Sequence, residues 1–479
     1  MKRREFLKAT GASAASLVMP QRTAVGEQHA GKAQADRPNV ILIMADDCSA
    51  REFGCYGHKA HKTPVLDKLA ETGVMFETCW ATPICSPSRA MIMTGRYGFR
   101  TGWFHNNLKP GPTERGGHLA ETNKIFAHLL KQAGYATAIC GKWQLRGTMA
   151  EYGFDEHCMW AKYKGFDGPV ETEALRGRRG TLIGRPARYW HPAIVKNDKP
   201  VPTTDTDYGP DLFVDFILDF ARRNKDRPFL VYYPMCLTHR SWDFEADRSG
   251  YLPVPELDAN GRKTPRRVRG TLKSNVEYTD HLVGRIVKGL TRLGLRENTV
   301  ILFTCDNGTA GYGKSNVEQE RGPRVPMIVN GPGVVKPQGA VDALIDFSDV
   351  LPTLCDLAGA KLPTDDAIDG ESFAPVLRGK KTQGRDWIFS CYADKRMLRD
   401  PRWLLDGTGR LYDCGDRRDE TRYTDVTTSN DPKVLAVRKR FETLLSRLPG
   451  PTQAQMKRWP KKGRSPMRRG RRGRDSTRK

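Results

Sequence analysis

Val40-Ile-Leu-Ile-Met44 is an unbroken apolar run, and it stops one residue short of Asp46-Asp47. A strand with one wet face alternates apolar and polar residues. A strand that is apolar on both faces must be covered on both, as in the middle of a parallel sheet. Related runs follow at Ala136-Thr-Ala-Ile-Cys140, Phe229-Leu-Val-Tyr-Tyr233, Thr299-Val-Ile-Leu-Phe303 and Val325 to Val329, with a short strand at Val74 to Phe76.

Helical spacing fills the intervals. A helix starts at Thr63-Pro64, with Val65, Leu66, Leu69 and Ala70 recurring on one side. Ile125 to Gln132 is amphipathic and closes at Gly134. Asp211 is the expected cap of a helix whose Leu212, Phe213, Phe216, Ile217 and Phe220 share a face. Asn275 to Leu293 turns Leu282, Val283, Ile286 and Leu290 inward. Strands alternating with helices predict an α/β fold, a large mostly parallel sheet sandwiched by helices.

Beyond about residue 355 the pattern changes. Trp387 to Tyr392, Trp403 to Leu405 and Arg410 to Tyr412 are short segments between turn signals, and residues 432–448 form a closing amphipathic helix. They predict a smaller C-terminal antiparallel-sheet subdomain. Residues 160–208 and 240–270 read as an irregular insertion and a long loop, rich in Gly, Arg and Pro or in polar and basic residues.

The expected organisation is therefore a signal and linker at 1–35, a catalytic domain at 36–375, a small α+β subdomain at 376–450 and a basic tail at 451–479. Lys2-Arg3-Arg4-Glu5-Phe6-Leu7-Lys8 before a mild apolar stretch resembles a bacterial twin-arginine export signal. That implies the twin-arginine machinery as a partner and a periplasmic or extracellular location. No run is long and apolar enough for a membrane span.

The net charge of +24 favours anionic partners, and the tail concentrates it: twelve Lys or Arg against one acid from Met456 to Lys479. No zinc-finger, RNP or helix-turn-helix pattern accompanies this charge, so no specific nucleic-acid partner is implied. The eleven cysteines include no CxxC pair and no Cys/His zinc spacing.

In parallel sheets ligands collect beyond the strand C-termini. That rim carries Asp46, Asp47, Lys142, His239, Asp306 and Asn307. The oxygen donors suit a hard cation, Ca²⁺ or Mg²⁺. Arg89, Lys142 and Lys314 can hold a tetrahedral oxyanion, and His239 can protonate a leaving group. Cys85 fits this site poorly as a thiolate, which is soft, and would suit it better carrying an oxygen nucleophile.

Cys85-Ser86-Pro87-Ser88-Arg89 with Thr94-Gly95-Arg96 resembles the mark of the type I sulfatases, formylglycine-dependent, arylsulfatase-like members of the alkaline phosphatase-like superfamily. Asp46-Asp47, Gly141-Lys142-Trp143, Asp306-Asn307-Gly308 and Arg324-Val325-Pro326 stand in family order, and the resemblance runs from residue 38 to about 415.

It implies that a maturation enzyme oxidises Cys85 to formylglycine. One hydroxyl of the aldehyde hydrate attacks sulfur and the second expels sulfate. It also implies that Asp46, Asp47, Asp306, Asn307 and the modified Cys85 ligate Ca²⁺, that Arg89 supports the hydrate, that Lys142 and Lys314 hold the sulfate, and that His239 assists the leaving group. The implied substrate is a sulfated small molecule or polysaccharide. Where many members have Gly-Lys-x-His, this chain has Gln144, which can hydrogen-bond but not titrate.

The alternatives are a phosphate or phosphonate monoester hydrolase of the same superfamily and a non-catalytic binder of sulfated glycans. Arg176, Arg178, Arg179, Arg185, Arg188, Tyr189 and Trp190 are candidates to line a polyanionic-sugar pocket.

Overall fold

The computed structural model describes residues 37–106, 119–160, 188–240, 250–364, 367–417 and 421–453. Its main sheet is built from β1 (Asn39–Ala45), β2 (Val74–Trp80), β3 (Ala136–Gly141), β4 (Glu156–Trp160), β5 (Ile194–Lys196), β6 (Lys199–Val201) and β7 (Phe229–Pro234). A separate hairpin, β8 (Val254–Leu257) and β9 (Lys263–Val268), follows in the chain. The main sheet then resumes with β10 (Thr299–Cys305), β11 (Arg324–Asn330), β12 (Gly339–Val341) and β13 (Ile345–Asp346).

The strand order is β12-β2-β11-β10-β1-β7-β3-β4-β5-β6, with β13 also paired to β2. The centre, β10-β1-β7-β3-β4, is parallel throughout. On either side the sheet turns antiparallel, at β10–β11–β2 and at β4–β5–β6.

Every residue from Val40 to Ala45 has no exposed surface, as two covered faces require. Each of its Val, Ile, Leu and Met side chains contributes roughly 1.5–3 kcal/mol by leaving water. Parallel register brings the ends of these strands level. Ala45 of β1 sits opposite Cys305 of β10, and Met44 opposite Pro234 of β7. The residues that follow therefore emerge on one rim.

The C-terminal sheet is antiparallel, in the order β14 (Ile388–Tyr392), β15 (Lys395–Arg399), β16 (Trp403–Leu405), β17 (Leu411–Asp413) and β18 (Thr424–Asp425). It docks through a small apolar cluster of Trp80, Leu344, Ile388, Met397, Leu404, Tyr412, Cys414 and Tyr423. Inside that seam Glu320 accepts from Trp80 Nε1 at 2.8 Å and from Tyr423 OH at 2.5 Å, and pairs with Arg399 at 2.9 Å.

Three local readings are corrected. The part of 160–208 that is described is not wholly irregular: β5 and β6 extend the sheet edge. The stretch 240–270 contains the β8–β9 hairpin, although Pro255 and Pro265 make each strand read as loop. Asp211 does not cap its helix. The helix runs Gly209–Arg223 with Tyr208 as N-cap, and Asp211, inside the first turn, accepts instead from Tyr278 OH at 2.8 Å and Arg285 at 2.9 Å. Tertiary donors outcompete the local backbone.

Candidate active site

The rim residues converge as expected, and the local backbone explains how. Asp46 N donates to Leu237 O at 2.7 Å, and Thr238 N returns a bond to Asp46 O at 2.8 Å, so the loops after β1 and β7 are laced together. Asp47 adopts φ +59°, the left-handed region that costs a non-glycine residue about 1–2 kcal/mol. Its N–H donates to Asp306 Oδ1 at 2.9 Å. Ser49 and Thr309 exchange backbone-to-hydroxyl bonds at 3.0 and 2.9 Å, tying the loop after β1 to that after β10.

Lys142 follows Gly141, whose φ is +114° and whose missing side chain leaves room for the Pro234 carbonyl. Lys142 N donates to that same carbonyl at 2.7 Å. Its ammonium pairs with Asp46 Oδ2. Lys314, on the loop between β10 and β11, pairs with Asp47 Oδ2 at 2.6 Å. Arg89 Nη2 sits 2.7 Å from Asp306 Oδ2 and 3.6 Å from Asp46 Oδ1.

Cys85 opens the Cys85–Thr94 helix and is fully buried. Its Sγ lies 3.8 Å from Asp46 Oδ1 and 3.5 Å from Asp47 Oδ1. Burial, then Asp306 and Asp47, push the thiol well above its ordinary range, with Lys314 and Lys142 opposing. It is a neutral thiol and a poor nucleophile as it stands. The helix N-terminus offers fewer free donors than usual, because Ser86 N already donates to Asn106 Oδ1 at 2.7 Å and Pro87 has no N–H.

His239 Nε2 stands 3.6 Å from Asp47 Oδ2. Burial, then Lys142, push the imidazole down to about 3, against Asp46 and Asp47, so the ring is neutral. Its Nδ1 is 3.2 Å from Arg188 Nη1 and 2.5 Å from Arg240 O. The first contact leaves the ring proton on Nε2, the second places it on Nδ1. Tyr189 OH donates to Cys236 O and His239 O, both at 2.8 Å, and fixes the loop that carries the ring.

The donor set fits a hard cation. Asp46, Asp47, Asp306 and Asn307 are buried and offer only oxygen or amide groups. Asn307 Nδ2 donates to Asp47 Oδ1 at 2.9 Å, whereas Asn307 Oδ1 is buried with no partner. Burial and the neighbouring Asp46 push Asp306 up to about 7, despite Arg89. Asp46, by contrast, is held low: burial alone would raise it, but Lys142, His239 and Arg89 together outweigh that. Three crowded carboxylates and an unsatisfied carbonyl oxygen are what a bound cation relieves.

A second group, Glu52, His58 and His61, also has ligand atoms close together. One nitrogen of each ring is already engaged. His58 Nδ1 accepts from Ala60 N and His61 N, and His61 Nδ1 faces Glu52 O at 2.9 Å.

Gln144 is half-buried, and its Oε1 is buried without a hydrogen-bond partner. Arg176, Arg178, Arg179 and Arg185 lie outside the described residues, as do residues 1–36, where an export signal is expected, and the tail beyond residue 453. Asn106 was not legible in the sequence, because no motif marks it. Arg188 was legible only as one basic residue among several.

Residues 38–360 match the family described as Sulfatase. The chain belongs to the sulfatase family. It is a type I sulfatase and a sulfuric ester hydrolase. Among curated relatives it is 31% identical over 449 residues to the steryl-sulfatase of Mus musculus, covering 76% of this chain and 69% of that protein. It is 30% identical over 397 residues to the N-acetylgalactosamine-6-sulfatase of Rattus norvegicus, covering 77% and 70%. In fold this sulfatase is similar to the PsFucS1 sulfatase from Pseudoalteromonas sp., with TM-score 0.67, 20% identity and coverage of 90% and 93%. It is also similar to BT4656, solved with its substrate D-glucosamine-2-N,6-O-disulfate, with TM-score 0.64, 21% identity and coverage of 88% and 98%.

Proposed function

We propose that this sulfatase is an exported, Ca²⁺-dependent enzyme that hydrolyses a sulfate ester on a saccharide, with Cys85 converted to formylglycine. The observation that carries the reading is the convergence of Asp46, Asp47, Lys314 and Arg89 around the buried Cys85, beside the unpartnered Asn307 Oδ1.

Asp46, Asp47, Asp306, Asn307 and the converted Cys85 would hold the cation. When present, the cation and the formylglycine hydrate supply charge neutralisation and the paired hydroxyls that a thiol lacks. The chain's other groups do the rest. Lys142 and Lys314 turn their ammonium groups to the sulfate oxygens and balance the charge that grows there. Arg89, locked on Asp306, orients the reacting residue 85. His239, a neutral ring, assists the departing alcohol by donating a hydrogen bond from Nε2, the tautomer favoured when Arg188 donates to Nδ1. Thr238 and Tyr189 keep that ring in position through the backbone of its loop.

The saccharide assignment is supported by relatives named for N-acetylgalactosamine 6-sulfate and ulvan, and export by the Arg3-Arg4 segment. Among the described residues no helix is long and apolar enough to cross a membrane. The test is a paired assay of protein made with a formylglycine-generating enzyme. An aryl sulfate and a panel of sulfated saccharides should release sulfate, and EDTA should abolish the release. Faster turnover of the matching aryl phosphate would reassign the chain's preferred ester.

A further inference from the structure

Arg240 follows His239 directly, and its carbonyl faces His239 Nδ1 at 2.5 Å. Its guanidinium carbon lies 5.1 Å from the centre of the buried Tyr251 ring. The guanidinium crosses to Gly311, on the loop that leads to Lys314. A side chain at Gly311 would start 3.4 Å from Arg240 Nη2, and the φ of +91° there suits only glycine well. The Arg240 and Tyr251 pair thus bridges the loops carrying His239 and Lys314.

Unlike Lys142, Lys314 and Arg89, this cation is not spent on the site's acids. Among the described residues no carboxylate lies within salt-bridge distance of it, and its Nε is buried without a hydrogen-bond partner. A half-buried guanidinium beside an aromatic ring, bonded to its hydroxyl but with a buried Nε unpartnered and no carboxylate beside it among the described residues, is matched to a planar or tetrahedral anion. The adjoining rim repeats the composition: the guanidinium carbons of Arg51 and Arg321 lie 4.5 and 5.7 Å from the Tyr312 ring centre.

We propose that Arg240, backed by Tyr251, forms a second anion subsite that binds a carboxylate or a further sulfate of the saccharide, next to the ester being cleaved. The proposal rests on the saccharide-sulfatase reading and narrows its substrate to multiply charged glycans. Arg240 donates its N–H groups to the second anion, while Tyr251 supports the guanidinium from one side.

The experiment uses full-length, formylglycine-bearing enzyme and sulfated oligosaccharides in matched pairs. One arm compares a uronate-containing substrate with its carboxyl-reduced form. The other compares a disulfated substrate with its monosulfated analogue. Wild type should favour the more highly charged member of at least one pair by about tenfold or more in kcat/KM, mostly through KM. Arg240→Gln should abolish that preference, and Arg240→Lys should keep part of it, since charge persists but the fork is lost. The arm that responds identifies carboxylate or sulfate as the bound group. Equal kcat/KM for both members of both pairs in wild type, or a preference that survives Arg240→Gln, overturns the proposal. The hydrolase reading is judged separately, by sulfate release from 4-nitrophenyl sulfate.

Discussion

Asn307 Nδ2 donates to Asp47 Oδ1 at 2.9 Å, and the same amide leaves its Oδ1 buried and unpartnered. A buried carbonyl oxygen without a donor costs roughly 1–3 kcal/mol. The orientation is useful only if something positive arrives. Removing that oxygen should therefore weaken the cation site more than it weakens the fold.

Asn307→Ala should accordingly lose most of the Ca²⁺-dependent rise in melting temperature. A cation at a hundredfold its Kd adds about 2.7 kcal/mol to wild type, and that increment is the quantity to compare. Thermal unfolding in EDTA and in a CaCl2 series measures it. An unchanged Ca²⁺ increment in the variant would remove Asn307 from the ligand set.

Glu320 is the hub between the two sheets, fully buried and shared by Trp80, Arg399 and Tyr423. Breaking a buried pair by neutralising one partner strands the other charge, at about 3–5 kcal/mol. Glu320→Gln should lose stability of that order in urea unfolding. Replacing Glu320 and Arg399 together with apolar residues of similar volume should recover much of it. A double variant that is worse by the sum of both single losses would show that the pair itself, rather than the stranded charge, carries the energy.

Asp280 gives the chain a pH-dependent contribution away from the reacting centre. Its carboxyl accepts from Leu66 N at 2.8 Å and Val65 N at 3.2 Å. Burial nevertheless pushes it from its ordinary 3.8 up to about 7, with Asp67 and Glu277 adding to the shift. The native state keeps a proton that the unfolded chain has already lost. The contribution to stability is complete below about pH 4 and is lost as the pH rises through about 7. Asp280→Asn should flatten the stability profile across that window. An unchanged slope between wild type and variant would contradict it.

The central strands and the rim were legible because burial on both faces leaves no polar position. β1 could be read from five side chains, and parallel register then fixed where Asp46, Lys142 and Asp306 had to emerge. What was not legible depended on distant partners. Asp211 looks like a cap until Tyr278, Arg285 and Lys263 arrive from elsewhere in the chain. The β8–β9 hairpin carries a proline in each strand and leaves most of β9 exposed, so no apolar alternation marks it. The Arg188 contact with His239 joins residues 51 apart, which no spacing rule anticipates.

The central claim is that the buried Cys85 serves as a converted residue and not as a thiol. The most direct measurement is the mass of the tryptic peptide Leu69–Arg89, from enzyme co-expressed with a formylglycine-generating enzyme, taken on the same preparation as a sulfate-release assay. The account predicts an aldehyde in place of the Cys85 thiol, the Cys79 thiol unchanged, and activity that scales with the aldehyde fraction. Full activity from protein whose Cys85 is wholly unmodified would contradict it.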